Sequence, residues 1–549
     1  MLKKVGLKVG LKAGLLVLLF AMLFTSSAFA YDVQLRPFTD EEFDYSRDPI
    51  YTLSALGIID GFSDQTYRPS EALSREAFIK LLVMAAKIET KQATGSIPAD
   101  VAKDRWSAPY ISVAYERKWV DSLLDKAGLF HPAQTITRQE VAMLMGKFLL
   151  DSESEDVRQQ WLATDWKQER ASRAFKDQTT INEAMQPYVY YTAHRGIMEG
   201  DTAGFKPKEP LIRKQAAAVI YRLIDTTIAG QKIDFTGFYA IESYGAITQM
   251  NKLSDVIFGW SHLEYATTGT AKLNTDTTVN RIPLGSEEVI AAADTAQISK
   301  ELMVFYDSNN LKDFLKDKPA QKAFISSLLI TLNNPTYQFT GVSIDFEGLR
   351  EASSAADYLA FLQDLKDQLG TYTLSVSVPP TYYYPGYDLK GIGKLADLVI
   401  LMAYDFTHSG LTPNESKLPS APLPLVNDTV QIALASIPKE KLVLGISKQA
   451  NQWVTTNGVT RAPVSPAIAD VEKRLAMAGV TQTWMLPYFV KQAWFEDARG
   501  SHEMYYEDTQ SIAKKLWLAK FYDLKGVSLW FMGSYTAADW VLIGQQSAK

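Results

Sequence analysis

Residues 341–348 read Gly341-Val342-Ser343-Ile344-Asp345-Phe346-Glu347-Gly348, an alternation of apolar and polar side chains bounded by glycines. Strand side chains alternate with period two, so Ser343, Asp345 and Glu347 are expected on one face and Val342, Ile344 and Phe346 on the other. Two carboxylates side by side on such a strand either face solvent or serve chemistry, and the flanking sequence has to decide. Further apolar runs of strand length occur at 235–239, 256–260, 302–306, 374–378, 398–404, 442–446 and 526–530. Patterns of helical period fall between many of them, as at 355–369 and 511–521. Eight strands alternating with helices predict an α/β fold, a (β/α)8 TIM barrel, over residues 233–546. A doubly wound open sheet is the alternative, but no glycine-rich phosphate loop follows any strand.

The chain has 549 residues, too many for one ordinary domain, and 47% of them are hydrophobic. A net charge of −6 without a basic stripe argues against nucleic acid as a partner. Residues 1–30 carry Lys3, Lys4, Lys8 and Lys12, then an apolar core and a small-x-small ending at Ala30. This is the pattern of a secretory signal peptide, with no membrane span expected after its cleavage. Losing those four lysines takes the net charge from −6 to −10. No cysteine is present, which excludes thiolate catalysis, disulfides and Cys-type zinc sites. The five histidines show no metal-ligand spacing, so neither a metal nor another cofactor is expected.

Residues 35–226 contain a pattern repeated three times, at 35–90, 95–150 and 172–226. The first copy has Phe38-Thr39-Asp40, Gly61-Phe62-Ser63-Asp64, Arg68-Pro69 and Ser74-Arg75-Glu76. The second has His131-Pro132 and Thr137-Arg138-Gln139-Glu140 but lacks the Gly-aromatic-Asp turn. The third has Phe175-Lys176-Asp177, Lys206-Pro207 and Ile212-Arg213-Lys214-Gln215, without a hydroxyl cap. Ser74 and Thr137 fit helix N-caps, whereas Ile212 cannot. An arginine directly after the cap suits anion binding alongside free helix N–H groups, or else a structural ion pair.

The repeats resemble S-layer homology domains, which implies a mainly α-helical three-repeat module that binds acidic secondary cell-wall polysaccharide. The resemblance places that contact at Arg75, Arg138 and Arg213, and implies a secreted protein held on a Gram-positive cell wall.

In a barrel, functional residues gather at the C-terminal strand ends, which here offer Asp345, Glu347, Met402, Tyr404, Asp405 and Trp530. Two carboxylates with a tyrosine and a tryptophan suit sugar chemistry, the aromatic as floor and an acid as proton donor. The two acids lie too close together to act from opposite faces of a sugar. That favours a route in which the substrate's own acetamido group is the nucleophile. The barrel resembles glycoside hydrolase family 18, whose fourth-strand pattern Asp-x-x-Asp-x-Asp-x-Glu here runs from Thr340 to Glu347. Asp345 and Glu347 match, while Thr340 and Ser343 replace the first two acids.

The resemblance implies Glu347 as general acid and then base, Asp345 as the residue orienting the acetamido group, and Tyr404 as hydrogen-bond donor to its oxygen. It further implies Ser343, Met402, Asp405 and Trp530 as substrate-binding residues. Within the family the closest likeness is to cell-wall and spore-cortex N-acetylglucosaminidases. They share the Tyr506-Glu507-Asp508 segment and the Leu524–Trp530 run. The substrate implied is an N-acetylglucosamine-containing polysaccharide, peptidoglycan or chitin, with the loop 411–426 shaping the cleft. A barrel without turnover that only binds sugar is the competing reading, because Thr340 and Ser343 have replaced acids.

Overall fold

The computed structural model describes residues 35–90, 97–380, 384–406 and 417–549. The signal-peptide reading and residues 411–416 of the cleft loop lie outside the described residues.

Residues 35–226 form three helix pairs: Arg47–Ala55 with Arg75–Ala85, Ala108–Glu116 with Arg138–Asp151, and Gln186–His194 with Arg213–Ile228. Backbone N–H groups of Leu73, Leu211 and Ile136 donate to the carbonyls of Leu211, Ile136 and Leu73 respectively, at 2.9 to 3.0 Å. The three units therefore close a ring. Asp40 accepts from the N–H groups of Tyr67 and Arg68, Asp100 from Phe130 and His131, and Asp177 from Phe205 and Lys206. Two donors on one carboxylate hold Arg68, His131 and Lys206 at φ 57°, 55° and 58°, a region that L side chains usually avoid. The middle unit keeps this device although its sequence lacks the Gly-aromatic-Asp turn.

The helix starts differ from expectation. Arg75 and Glu76 N–H donate to Gln134 and Pro132, Arg138 and Gln139 to Glu209 and Pro207, and Arg213 and Lys214 to Glu71 and Pro69. Carbonyls of the neighbouring unit thus consume the N–H groups that were expected to be free for an anion. Ser74 caps through its hydroxyl, which accepts from Ala77 N–H. Thr137 does not, because its Oγ1 finds no partner among the described residues and the helix start is closed by Glu140 Oε2 accepting Thr137 N–H.

The arginines tie each unit to the next. Arg75 donates to the carbonyls of Leu123 and Phe130 and pairs with Glu140 at 2.5 Å, almost fully buried. Arg138 reaches the carbonyls of Phe205 and Glu199, and Arg213 those of Tyr67 and Asp60.

The barrel strands are β1 (Asp234–Tyr239), β2 (Asp255–Thr267), β4 (Ser299–Tyr306), β5 (Gly341–Phe346), β6 (Thr373–Val378), β7 (Leu398–Met402), β8 (Leu442–Ser447) and β14 (Gly526–Trp530). They pair in parallel in the order β1-β14-β8-β7-β6-β5-β4-β2, and β1–β2 pairing closes the ring. All eight strands expected from the sequence are present.

Two features were not anticipated. β3 (Thr270–Asn274) folds back antiparallel on β2. An antiparallel sheet of β9 (Asn451–Thr456), β10 (Val459–Thr460), β11 (Thr481–Met485), β12 (Val490–Asp497) and β13 (Gly500–Tyr506) is inserted between β8 and β14. The helical module packs on the barrel flank. Lys514 pairs with Asp48 at 2.9 Å, and the Trp517 ring stacks on Tyr221 while its indole N–H donates to Asp225.

On β5, Phe346 faces the outer helices and stacks on Phe361 at 5.5 Å, leaving Ser343 and Asp345 to the barrel interior. Gly341 opens the strand because a larger residue has no room. A Cβ there would sit 1.9 Å from Thr373 Oγ1, which crosses this gap to donate to Glu301 Oε1 at 2.7 Å. Gly341→Ala is expected to cost about 1–3 kcal/mol by overpacking, read as a lower denaturation midpoint with an unchanged m-value.

Candidate active site

The site lies at the C-terminal ends of the barrel strands. β5 ends at Phe346, and Glu347 N–H prolongs the ladder by one bond to Tyr306 O at 2.7 Å. Asp345 is 3% exposed, and its Oδ1 finds no hydrogen-bond partner among the described residues. Burial, followed by the neighbouring Glu347 charge, raises its carboxyl well above the usual range, with Ser377 opposing. Glu347 is pushed up to about 7, chiefly by burial and then by Asp307 and Asp405. Glu347, held protonated up to about 7, is therefore available as a proton donor near neutrality.

Tyr404 lies close enough to Asp345 and Glu347 that, after burial, their charges keep its phenol protonated as a donor. The strand expected over 398–404 stops short of it. β7 ends at Met402, the N–H groups of Ala403 and Tyr404 turn back to Leu401 and Met402, and Asp405 takes a left-handed φ of 61°. The turn aims Tyr404 and Asp405 at the acids.

Asp405 is held by Ser420 Oγ, which accepts its N–H at 3.0 Å, and by Gln449 Nε2, which donates to its Oδ1 at 3.2 Å. Trp530 ends β14 beside Ser447 of β8, edge-on to Phe238 at 5.3 Å, and closes the apolar floor of Phe238, Ile257, Met303, Ile400 and Val443. Met402, the last residue of β7, is half-buried.

Thr340, in the position of an absent acid, serves the fold: its Oγ1 accepts Lys300 N–H and donates to Lys300 O, both at 3.0 Å. Ser343 is fully buried, and its hydroxyl finds no partner among the described residues. Tyr506-Glu507-Asp508 proves architectural, since Glu507 pairs with buried Lys515 and Asp508 caps the helix Thr509–Tyr522.

Sequence reasoning missed Asp307, Gln449 and the Arg350–Tyr384 pair, whose guanidinium lies 4.9 Å from the ring centroid. Asp307 was within reach of the strand-end rule, as it directly follows β4. Gln449 carried no such signal.

The glycosyl hydrolases family 18 model matches residues 235–534, the whole circuit of strands that builds this site. The chain belongs to that family. The S-layer homology domain model matches residues 37–79 and 174–217, the first and third units of the helical module but not the middle one, against the three domains expected.

The putative sporulation-specific glycosylase YdhD of Bacillus subtilis (strain 168) is 28% identical over 242 residues, 38% of this chain and 55% of the relative. The cortical fragment-lytic enzyme of the same organism is 29% identical over 247 residues, 42% of this chain and 55% of the relative. The chain thus spans about half the length of the curated relatives it matches. The Bacillus cereus spore cortex-lytic enzyme SleL aligns with a TM-score of 0.48 at 20% identity, over 58% of this chain and 75% of that one.

Proposed function

We propose that this family 18 member is a retaining glycosidase that cleaves β-1,4 bonds at N-acetylglucosamine, in peptidoglycan before chitin. The observation that carries this reading is the pair of neighbouring carboxyls, buried Asp345 and half-buried Glu347, whose charges also reach Tyr404. Glu347 donates its proton to the glycosidic oxygen. The substrate's acetamido oxygen then attacks the anomeric carbon, with Asp345 orienting the acetamido N–H and Tyr404 donating to its oxygen. Glu347, now ionised, takes a proton from the water that opens the intermediate, and two inversions give net retention.

Trp530 stacks under the sugar, Asp405 and Met402 flank it, and Ser343 supports Asp345 from within the barrel. The preference for peptidoglycan draws support from the relatives named for sporulation and cortex lysis. Proton NMR of the first-formed reducing end tests the mechanism: the β-anomer is expected to precede mutarotation, and a first-formed α-anomer contradicts it.

The acid role sets the sign of the pH response. Glu347 donates only while protonated, so kcat is expected to fall as pH rises through about 7, roughly tenfold per unit above that point. A kcat profile from about pH 5 to 9 checks this, and a flat profile across 7 contradicts it.

The helical module is proposed to hold the enzyme on the cell surface by binding acidic wall polysaccharide, with the middle unit as a diverged third S-layer homology domain. Its ring hydrogen bonds and its Asp100 cradle support that assignment. Arg138 and Arg213, at the partly exposed ends of their helices, are the proposed polysaccharide contacts; Arg75 is spent on Glu140. Secretion through residues 1–30 completes the proposal. The absence of acids at 340 and 343 favours a second reading, a sugar-binding barrel without turnover. Tight oligosaccharide binding with no release of reducing ends identifies it.

A further inference from the structure

The inward face of β5 and β6 is polar and is joined by Glu301 from β4, whose next inward residue, Met303, belongs to the apolar floor. Five buried oxygens on this face find no hydrogen-bond partner of good geometry among the described residues: Glu301 Oε2, Ser343 Oγ, Ser375 Oγ, Ser377 Oγ and Asp345 Oδ1. The register orders them. Glu301 lies level with Gly341 and Thr373, Ser343 with Ser375, and Asp345 four residues further along β5 than Gly341. Glu301 and Asp345 are therefore separated by roughly 13 Å along the strands, too far for direct contact, with the serines between them. Orphaned polar atoms in this number are costly unless water joins them, and each serine can both donate and accept.

We propose that Glu301 is the proton store for Asp345, connected to it by a file of serine hydroxyls and buried water inside the barrel. The proposal rests on the reading of Asp345 as the acid that orients the acetamido group. In that role Asp345 must be ionised when positive charge develops on the substrate, and Ser343 cannot take its proton as an acid there would. In the fraction of molecules whose Glu301 is ionised, which grows as pH approaches about 7, the O–H bond on Asp345 breaks and its proton passes to the first oxygen of the file. Each hydroxyl or water hands on one proton as it receives another, and the last O–H bond forms on Glu301. One negative charge moves from Glu301 to Asp345, and the total is unchanged.

Glu301 is suited to this because Thr373 Oγ1 donates to its other oxygen, an arrangement that only Gly341 permits. The groups that bear on Glu301 are Asp255 from β2 and Asp397 before β7, together with Thr373 and Ser375. Asp397 is itself bound by Lys366, and Asp255 lies in the field of Lys525 and Asp234. At the far end Glu347, Tyr358 and Tyr404 surround Asp345. Burial raises Glu301 to about 7 and raises Asp345 as well.

The test compares the full chain with Glu301→Gln, Ser343→Asp and the double variant, on purified peptidoglycan and by thermal unfolding. Glu301→Gln is expected to lower kcat roughly tenfold or more with KM unchanged, and Ser343→Asp in that background to restore it by placing a proton-holding acid beside Asp345. Parent-like kcat in Glu301→Gln overturns the proposal. So does a loss that Ser343→Asp fails to rescue, because a merely structural Glu301 would behave that way.

Unfolding gives a readout independent of turnover. The unfolded chain ionises Glu301 from its ordinary pKa upward, while the folded chain keeps it neutral to about 7. The parent is therefore expected to lose stability as pH rises across that window, and Glu301→Gln to lose less. Equal losses overturn the proposal. If Glu301→Gln does not fold, Ser343→Asp alone decides: a displaced acid limb of the kcat profile supports the store, and an unmoved limb overturns it. A parent without turnover on any N-acetylglucosamine polymer defeats the glycosidase reading instead, and leaves the unfolding comparison to decide whether Glu301 holds a proton.

Discussion

Glu347→Gln is expected to lower kcat on peptidoglycan fragments by about 10³-fold while leaving KM within a few-fold of the parent. Glutamine keeps the size and one acceptor of glutamate but can neither protonate the leaving oxygen nor accept a proton from water, so both halves of the reaction lose their proton carrier. The same change also removes the neighbouring negative charge that raises the Asp345 carboxyl, so Asp345 ionises more readily and sugar binding survives. Steady-state kinetics alongside calorimetric titration with an oligosaccharide separate the two effects. A residual kcat within tenfold of the parent would move the acid role elsewhere, with Asp307 and Asp405 the other carboxylates that raise Glu347.

Asp539→Ala is expected to cost about 3–5 kcal/mol of stability. Asp539 is fully buried and accepts from Lys448 Nζ at 2.6 Å, Thr509 Oγ1 at 2.6 Å, and Thr536 N–H and Oγ1 at 2.8 and 2.9 Å. These bonds join the exit of β8, the helix Thr509–Tyr522 and the helix Ala537–Gln546, which together close the barrel behind Trp530. Removing the carboxylate leaves the Lys448 ammonium buried without its counter-charge, and the desolvation cost it had offset is then exposed in full. Thermal unfolding is expected to fall by roughly 10 °C. Asp539→Asn should fall less, because it keeps an acceptor for the Thr536 N–H. A loss below about 1 kcal/mol would mean that water reaches Lys448 and that the pair is not a core element.

The barrel was legible because each of its eight strands is a short apolar run and the helices between them keep their own period. The inserted sheet was not. β13 reads Gly500-Ser501-His502-Glu503-Met504-Tyr505-Tyr506, and its polar members are satisfied internally, His502 by Gln452 and Asp497 and Glu503 by Gln492 and Lys417. Buried polar pairs of this kind look like loop composition in a linear sequence.

At the site, Asp345 and Glu347 stood out because two acids on one strand face are unusual, and Trp530 because it ends a strand. Tyr404 was expected inside the strand run 398–404, because the left-handed turn at Asp405 has no glycine to announce it. Gln449 contacts Asp405 from 44 residues away in sequence, which no local pattern encodes. Glu301 was invisible for a different reason. A lone glutamate near the start of an apolar run reads as a solvated strand end until the fold shows it sealed inside the barrel.

The helix-start arginines were legible as equivalent positions but not as contacts between units. Their spacing marks three corresponding positions, and in the folded chain the neighbouring unit's carbonyls meet both their guanidinium groups and their helix N–H groups.

The central claim is that the barrel cuts on the reducing side of N-acetylglucosamine. Mass spectrometry of products from purified peptidoglycan, reduced with borohydride before analysis, tests it most directly. New reducing ends borne by N-acetylglucosamine are the predicted result. Reducing ends borne by the lactyl-bearing sugar, or no new ends at all, would contradict it.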